Sequence, residues 1–209
     1  MTDPYAFILR RTGGPEILEA EHIDVPRPGP GEVLVRNEAV GLNFIDTYHR
    51  SGLYRLPLPS GLGGEGAGVV EAVGEEVAGF REGDRVGYFT GPPGAYATHR
   101  TIDPDRLVKL PESLTAEQAA AAMLKGCTAE YLIERCARVE PGQVVLVHAA
   151  AGGMGTSMRS GGVSGTAAER RHDGSRSDRA LGPCPDGMAD DDARSEEGQE
   201  GPRAVTLRR

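Results

Sequence analysis

A mostly β, barrel-like domain, followed by linking helices, the first βα element of an incomplete α/β domain and a disordered tail, is the architecture this sequence predicts. Three observations carry it. Short apolar runs recur at regular spacing, with Gly and Pro punctuation, up to about residue 110, the pattern of many short strands joined by turns. Thr115-Ala-Glu-Gln118 then fits a helix-capping box, a hydroxyl followed three residues later by an amide. Finally, Gln143–His148 (QVVLVH) is a continuous apolar run of the kind buried in parallel sheets, and it leads directly into a small-residue turn.

The elements follow in order. Tyr5–Arg10 and Ile17–Val25 read as strands joined through Gly13-Gly14-Pro15. Pro26–Gly31 is a stiff turn before Glu32–Val40, where Val33 and Val35 alternate with Leu34 and Arg36. Leu42–Arg50 is a short helix or loop, and the glycine-dense Gly61–Gly68 runs into a strand at Val69–Val73. Gly83-Asp84 turns the chain into Arg85–Phe89, and Ala95–Thr101 and Arg106–Leu110 complete the strands. Helix starts at Thr115 and is interrupted at Gly126 before Ala129–Arg138; Pro141-Gly142 then turns into Gln143–His148. The spans divide as a β domain over 1–114, linking helices and the start of an α/β domain over 115–157, and a tail over 158–209.

A chain of 209 residues suits one large domain or two small ones, at about 100–200 residues each. The net charge of −8 and a pI near 5.2 argue against nucleic acid or an anionic membrane as partner. No apolar run approaches the roughly 18–20 residues that span a bilayer, and Met1–Arg11 lacks a basic start and apolar core. Cys127, Cys136 and Cys184 are too few and too scattered for a disulfide framework or a four-cysteine zinc site. A cytoplasmic protein is expected. In the tail, Val163, Leu181, Val205 and Leu207 are the only Val, Leu, Ile or Phe residues, so burial there cannot offset the entropy of ordering, and disorder is expected.

Chemistry concentrates in Ala150-x-Gly152-x-x-Gly155, a variant of the dinucleotide fingerprint. In that pattern the first small residue permits a tight turn, the second lets backbone approach a pyrophosphate, and the third lets helix pack on strand. Phosphate then meets the N–H groups of the helix start. The preceding strand supplies half of the required context. No amphipathic helix, second strand or strand-end ribose-reading residue is expected after Gly155, and on residues alone the run reads equally as an ordinary loop.

The segments GLNFIDTYHRSGLY (Gly41–Tyr54), GLGGEGAGVVEAVG (Gly61–Gly74), EGDRVGY (Glu82–Tyr88), Lys125-Gly126-x-Thr128 and VHAAAGGMG (Val147–Gly155) agree in order and spacing with one family. Together, from about Tyr5 to about Thr156, they resemble the NADPH-dependent quinone oxidoreductases, the zeta-crystallin-like branch of the medium-chain dehydrogenases/reductases. The resemblance implies a GroES-like β domain, a Rossmann domain, NADPH as hydride donor, a small quinone as substrate and a homodimer. It places Asn43 and Tyr48 at the nicotinamide end of the cleft in positioning roles. It assigns cofactor contacts to Asn43, Phe44, Ile45, Lys125, Thr128, Ala150, Gly152, Gly153, Met154 and Gly155. A helix cap and a seam-filling aromatic remain open for Asn43 and Tyr48, as do a solvated lysine and a helix-start hydroxyl for Lys125 and Thr128.

Zinc relatives carry Cys near Gly41–Asn43 and Gly-His-Glu where this chain has Gly63-Gly64-Glu65. A catalytic zinc needs three protein ligands, so no metal site is expected. His49, His99 and His148 have no ligand-spaced partners, Cys127 and Cys136 are expected to be small buried residues, and Asp190–Asp192 reads as a solvated charge run. The abrupt change after about Thr156 or Ser157 suggests that the residues beyond are an out-of-frame translation or that the N-terminal domain has lost its natural partner, which reading the coding DNA in all three frames would decide. It implies weak or absent NADPH binding and argues against carrying over the homodimer. Reduction of enones or other activated alkenes, and a non-catalytic GroES-like interaction domain, are the alternative readings.

Overall fold

The computed structural model describes residues 3–140, 143–160 and 204–206, with the backbone alone for 159–160 and 204–206. Most of the 158–209 tail, including Cys184 and Asp190–Asp192, therefore lies outside the described residues. The chain forms two compact units that divide in sequence between Leu124 and Lys125, with 204–206 belonging to the first.

In the first unit, β1 (Tyr5–Leu9), β2 (Ala20–His22) and β4 (Ser60–Gly61) form an antiparallel sheet in the order β2-β1-β4. The expected strand Ile17–Val25 shrinks to β2, because Pro15 opens a 3-10 turn over Pro15–Ile17 and pairing covers only Tyr5–Phe7. The larger sheet contains β3 (Val33–Gly41), β5 (Glu65–Val73), β6 (Arg85–Tyr88), β7 (His99–Ile102) and β8 (Val108–Lys109), in the antiparallel order β7-β3-β5-β6-β8. The β-rich, barrel-like expectation holds.

Val33, Val35, Val40, Val70, Val86, Tyr88, Ala95, Ile102 and Leu107 make the main core. Leu34 is buried as well, so the start of β3 is covered on both faces rather than alternating. The core's polar groups are satisfied: the Asn37 amide donates to the Ala97 carbonyl at 2.8 Å and to that of Ala95 at 3.2 Å, and the Tyr88 hydroxyl donates to Asn37 Oδ1 at 2.8 Å. Burial pushes the Tyr88 phenol above its ordinary pKa. It stays a neutral donor, which a buried amide acceptor requires.

The strand expected at Val69–Val73 begins earlier, inside the glycine-dense Gly61–Gly68, at Glu65. A Cβ at Gly66 would lie 2.5 Å from the Tyr88 hydroxyl, and one at Gly68 would run into the Arg36 carbonyl. These glycines serve strand–strand approach. His99, expected to stand alone, pairs with Glu71, Nε2 to Oε2 at 3.1 Å.

Thr115 caps α2 (Ala116–Glu130) as expected: the Gln118 N–H donates to Thr115 Oγ1 at 3.2 Å and the Thr115 N–H to Gln118 Oε1 at 3.0 Å. Thr115→Ala should lower stability by about 1 kcal/mol; an unchanged denaturation midpoint would show the cap to be idle. Ala116, Ala119 and Ala120 pack against Ala39 and Ala67, with Met123 beside them. Gly126 does not interrupt α2, since a helical glycine costs only about 1 kcal/mol relative to alanine. A π-helical turn, Tyr131–Cys136, follows. Cys127 and Cys136 are exposed, against expectation. The alanine stripe is buried because it meets the sheet, and that cluster ends at Met123.

In the second unit, Gln143–His148 is not a strand. A parallel strand exists only through its neighbours, and no described residue supplies one. Of the expected βα element the helical half is formed, α3 (Gly153–Ser160), eight residues long, which starts within the small-residue turn. Part of the tail is also ordered, because β9 (Ala204–Thr206) pairs with Ala39–Gly41, the stretch of β3 that β7 leaves uncovered.

Candidate functional site

The first group of candidate residues sits where β3 gives way to α1 (Phe44–Ser51). Asn43 is the helix's N-cap residue, so the capping reading is correct. Its N–H donates to Asp46 Oδ2 at 2.9 Å, and the Asp46 N–H returns a bond to the Asn43 carbonyl at 3.0 Å. A carboxylate at this position both closes the first turn and favours the helix dipole.

Asn43 does more than cap. Its side-chain amide donates at 2.8 Å to Glu65 Oε2, and Glu65 Oε1 accepts the Leu124 N–H at 2.7 Å. Glu65 is completely buried at the start of β5, opposite Gly41 on β3. Ionised or not, a carboxyl group removed from water needs such partners. Asp46 is buried too, and its Oδ2 also accepts the Tyr96 hydroxyl at 2.8 Å. Burial, then the Asp46 carboxylate, push the Tyr96 phenol far above its ordinary pKa, keeping it a donor. Glu65 and Asp46 thus hold Asn43, and Tyr96 in turn holds Asp46, a network that reading the motif alone missed. The signal was available: Glu65 is the single charge in GLGGEGAGVV, and a lone charge in a strand-forming glycine and alanine run must be paired.

α1 presents an apolar, aromatic surface. Phe44 is 63% and Ile45 42% exposed, while Tyr48 is half-buried with its ring 5.3 Å from that of Tyr54. Gly52, at φ 85°, ends the helix and accommodates the left-handed cap that returns Tyr54 to Tyr48. Leu53 and Tyr54 extend the exposed surface. Such a face can take a planar, largely apolar ligand beside the fixed amide of Asn43.

The second group belongs to the second unit. Lys125 and Thr128 lie half-buried on α2. The turn before α3 has Ala149 at φ 50° and a hydrogen bond from the Gly152 N–H to the Ala149 carbonyl at 2.8 Å. Gly155 is buried, and a Cβ there would come within 2.5 Å of Ala150 Cα and 2.6 Å of the Ala149 carbonyl oxygen. The last glycine therefore permits the helix start to pack on the turn; the fingerprint's helix-on-strand packing has no counterpart here, since Gln143–His148 is not a strand. Thr156 N–H bonds to Gly152 and Ser157 Oγ to Gly153, both within the first turn. Ala150, Gly152, Gly153, Met154 and Gly155 form one turn and helix start, an arrangement suited to a pyrophosphate. Asn43, Phe44, Ile45 and Tyr48 form the other group. Among the described residues, no three His, Cys, Asp or Glu side chains converge as a metal set, and no helix is long and apolar enough to cross a membrane.

Residues 29–112 match the alcohol dehydrogenase GroES-like domain family. A quinone oxidoreductase of Pseudomonas aeruginosa is 58% identical over 144 residues, 68% of this chain and 44% of that protein. A 2-haloacrylate reductase of a Burkholderia species is 44% identical over 160 residues, 73% of this chain and 48% of that one. The crystal structure of Escherichia coli quinone oxidoreductase complexed with NADPH superposes with a TM-score of 0.71 at 45% identity, covering 72% of this chain and 47% of that one. The chain thus spans less than half the length of these relatives.

Proposed function

Because the chain belongs to the quinone oxidoreductases of the GroES-like alcohol dehydrogenase family, we propose that its two groups of site residues serve hydride transfer from NADPH to a quinone without zinc. The buried Gly155 at the start of α3 supports this reading, because only glycine fits where the helix start closes on the Ala149–Ala150 turn. NADPH supplies the hydride when bound; the protein binds and orients. Gly153, Met154 and Gly155 offer backbone N–H groups toward the pyrophosphate, and Lys125 and Thr128 add contacts from α2. On α1, Asn43, Phe44, Ile45 and Tyr48 meet the nicotinamide and the acceptor. Asn43 is held at the start of α1 by its amide bond to Glu65 and its N–H bond to Asp46, which fixes its direction for that role.

The donor set speaks for zinc-free chemistry. Gly64 offers no ligand where zinc relatives carry His, and both Glu65 oxygens are engaged by Asn43 and Leu124. A cytoplasmic location accords with this chemistry. The relative named for 2-haloacrylate reduction favours an activated alkene as the second acceptor to test.

NADPH affinity is expected to be weak, because the described second unit offers one turn and helix start where a doubly wound sheet holds a dinucleotide across several βα units. In a fluorescence titration NADPH should respond only well above low-micromolar concentrations, and Gly155→Val should abolish the response. Turnover, followed by NADPH absorbance, should be faster with a quinone than with 2-haloacrylate. Saturation at low-micromolar NADPH would overturn the impaired binding. No response even at millimolar NADPH would remove the cofactor reading and favour an interaction domain.

A further inference from the structure

We propose that Arg100 and the loop Thr90–Gly94 form a binding site for a small monovalent anion of halide size. Arg100 lies on β7, and its guanidinium stacks on the buried ring of Tyr88, with Cζ 4.9 Å from the ring centroid. Stacking engages only the flat face of the group, whereas its hydrogens point outward in the guanidinium plane. Nη2 donates to the Pro92 carbonyl at 3.1 Å. Nε and Nη1 are both buried, and neither has a hydrogen-bond partner among the described residues. Buried donors are costly unless an acceptor meets them.

The second observation is charge. Arg100 joins no ion pair among the described residues. Tyr88 supplies no counter-charge, because burial pushes its phenol above the ordinary pKa and its hydroxyl donates to Asn37 Oδ1. The Asn37 amide, in turn, is spent on the Ala95 and Ala97 carbonyls. Arg50 makes the contrast. Its Nε is likewise buried without a partner, but the carboxylates of Asp46 and Glu65 act with it on the Tyr96 hydroxyl, so its charge has acidic neighbours. Arg100 is the buried cation that lacks them.

The loop sets the size of the ligand. A Cβ built on Gly94 would find only Arg100 Cζ within 4.0 Å among the described residues, its chain neighbours apart. The backbone therefore leaves room for a single atom against the guanidinium. Arg106 reinforces the field from the other end of the loop, where a Cβ on Gly91 would lie 3.3 Å from its Nε. Arg106 is exposed and joins no ion pair among the described residues either. Two guanidinium groups on one short loop make its potential positive. One buried cation matches one negative charge, and a halide accepts N–H groups without a preferred direction. Phosphate or sulfate would bring a second charge and four oxygens into a space with few donors. The inference is independent of the quinone reductase reading.

Chloride NMR on the 209-residue protein, in sodium gluconate at constant ionic strength, tests the site. The chloride resonance should broaden saturably with the wild type, and bromide should compete. Arg100→Met should cut the excess linewidth at least about tenfold, or about 1.4 kcal/mol of binding. Arg106→Gln, at an exposed position where folding is not at stake, should weaken chloride several-fold. In thermal denaturation, chloride replacing gluconate should raise the midpoint by a few degrees, because the ligand binds only the folded protein. Arg100→Lys, which keeps the charge but loses the planar rim, should keep part of that shift. A wild type that leaves the chloride line unbroadened, broadening that survives Arg100→Met, or phosphate competing better than bromide would overturn the inference. Should Arg100→Met not fold, the wild-type titration and Arg106→Gln decide: unchanged chloride binding in Arg106→Gln would also overturn it.

Discussion

Glu65→Ala should cost about 4 kcal/mol of folding stability, enough to unfold a marginal domain, and Glu65→Gln roughly half as much. Glu65 is fully buried and accepts from two separate elements, the Asn43 amide after β3 and the Leu124 N–H within α2. Truncation to alanine leaves both donors without this acceptor and opens a cavity where the carboxyl group sat. Each unsatisfied buried donor costs about 1–3 kcal/mol, so the two together account for about 4 kcal/mol. Glutamine keeps one oxygen for one donor but turns an NH2 toward the other. Urea denaturation of the three proteins measures the difference, and equal midpoints for the wild type and Glu65→Ala would show that the network adds nothing.

The same substitution should reach α1. Asn43 is held by Glu65 through its side chain and by Asp46 through its N–H, and Tyr96 in turn holds Asp46. Without Glu65, the amide of Asn43 has no fixed direction from β5. This links stability to the proposed chemistry: the residue expected to orient the nicotinamide end is oriented by a carboxylate that touches no ligand.

Much of this was legible in the sequence, for identifiable reasons. Strands β3 and β6 and the Thr115 cap are local: valine spacing and the hydroxyl–amide pair prescribe them regardless of distant partners. The strand expected from Val69 starts four residues earlier, at Glu65, because glycine signals two opposite things, conformational freedom and close approach, and only the neighbours Tyr88 and Arg36 tell them apart. Gln143–His148 went wrong for the converse reason. Its apolar run states a strand's composition, but a strand is a relation between segments, and no described residue supplies the second one. β9 was invisible because Ala204–Thr206 is a strand only through the stretch of β3 that it covers. For the site, the motif pointed to Asn43 and to the Gly155 turn, but not to Glu65, Asp46 and Tyr96, whose convergence depends on a β3–β5 register set over nine residues.

Gly41→Ala should be comparably destructive, at about 3 kcal/mol, and its coupling to Glu65 should expose the cause. Gly41 ends β3 directly opposite Glu65, and a Cβ built there would enter the contact radius of both the Glu65 carboxylate and the Ala120 carbonyl. Neither neighbour can retreat cheaply: Glu65 is tied to Asn43 and Leu124, and Ala120 is backbone in a packed helix. Overpacking in such a place typically costs about 1–3 kcal/mol, here at the upper end because strand and helix would both have to move. Combining Gly41→Ala with Glu65→Ala removes one obstacle and leaves the other. The double variant should therefore lose less than the sum of the two singles, by about 1 kcal/mol, the scale of coupling between residues in contact. Strict additivity would mean that the helix carbonyl alone excludes a side chain at this position. In that case β3 and α2, rather than the buried carboxylate, would set the closeness of the junction from which α1 begins.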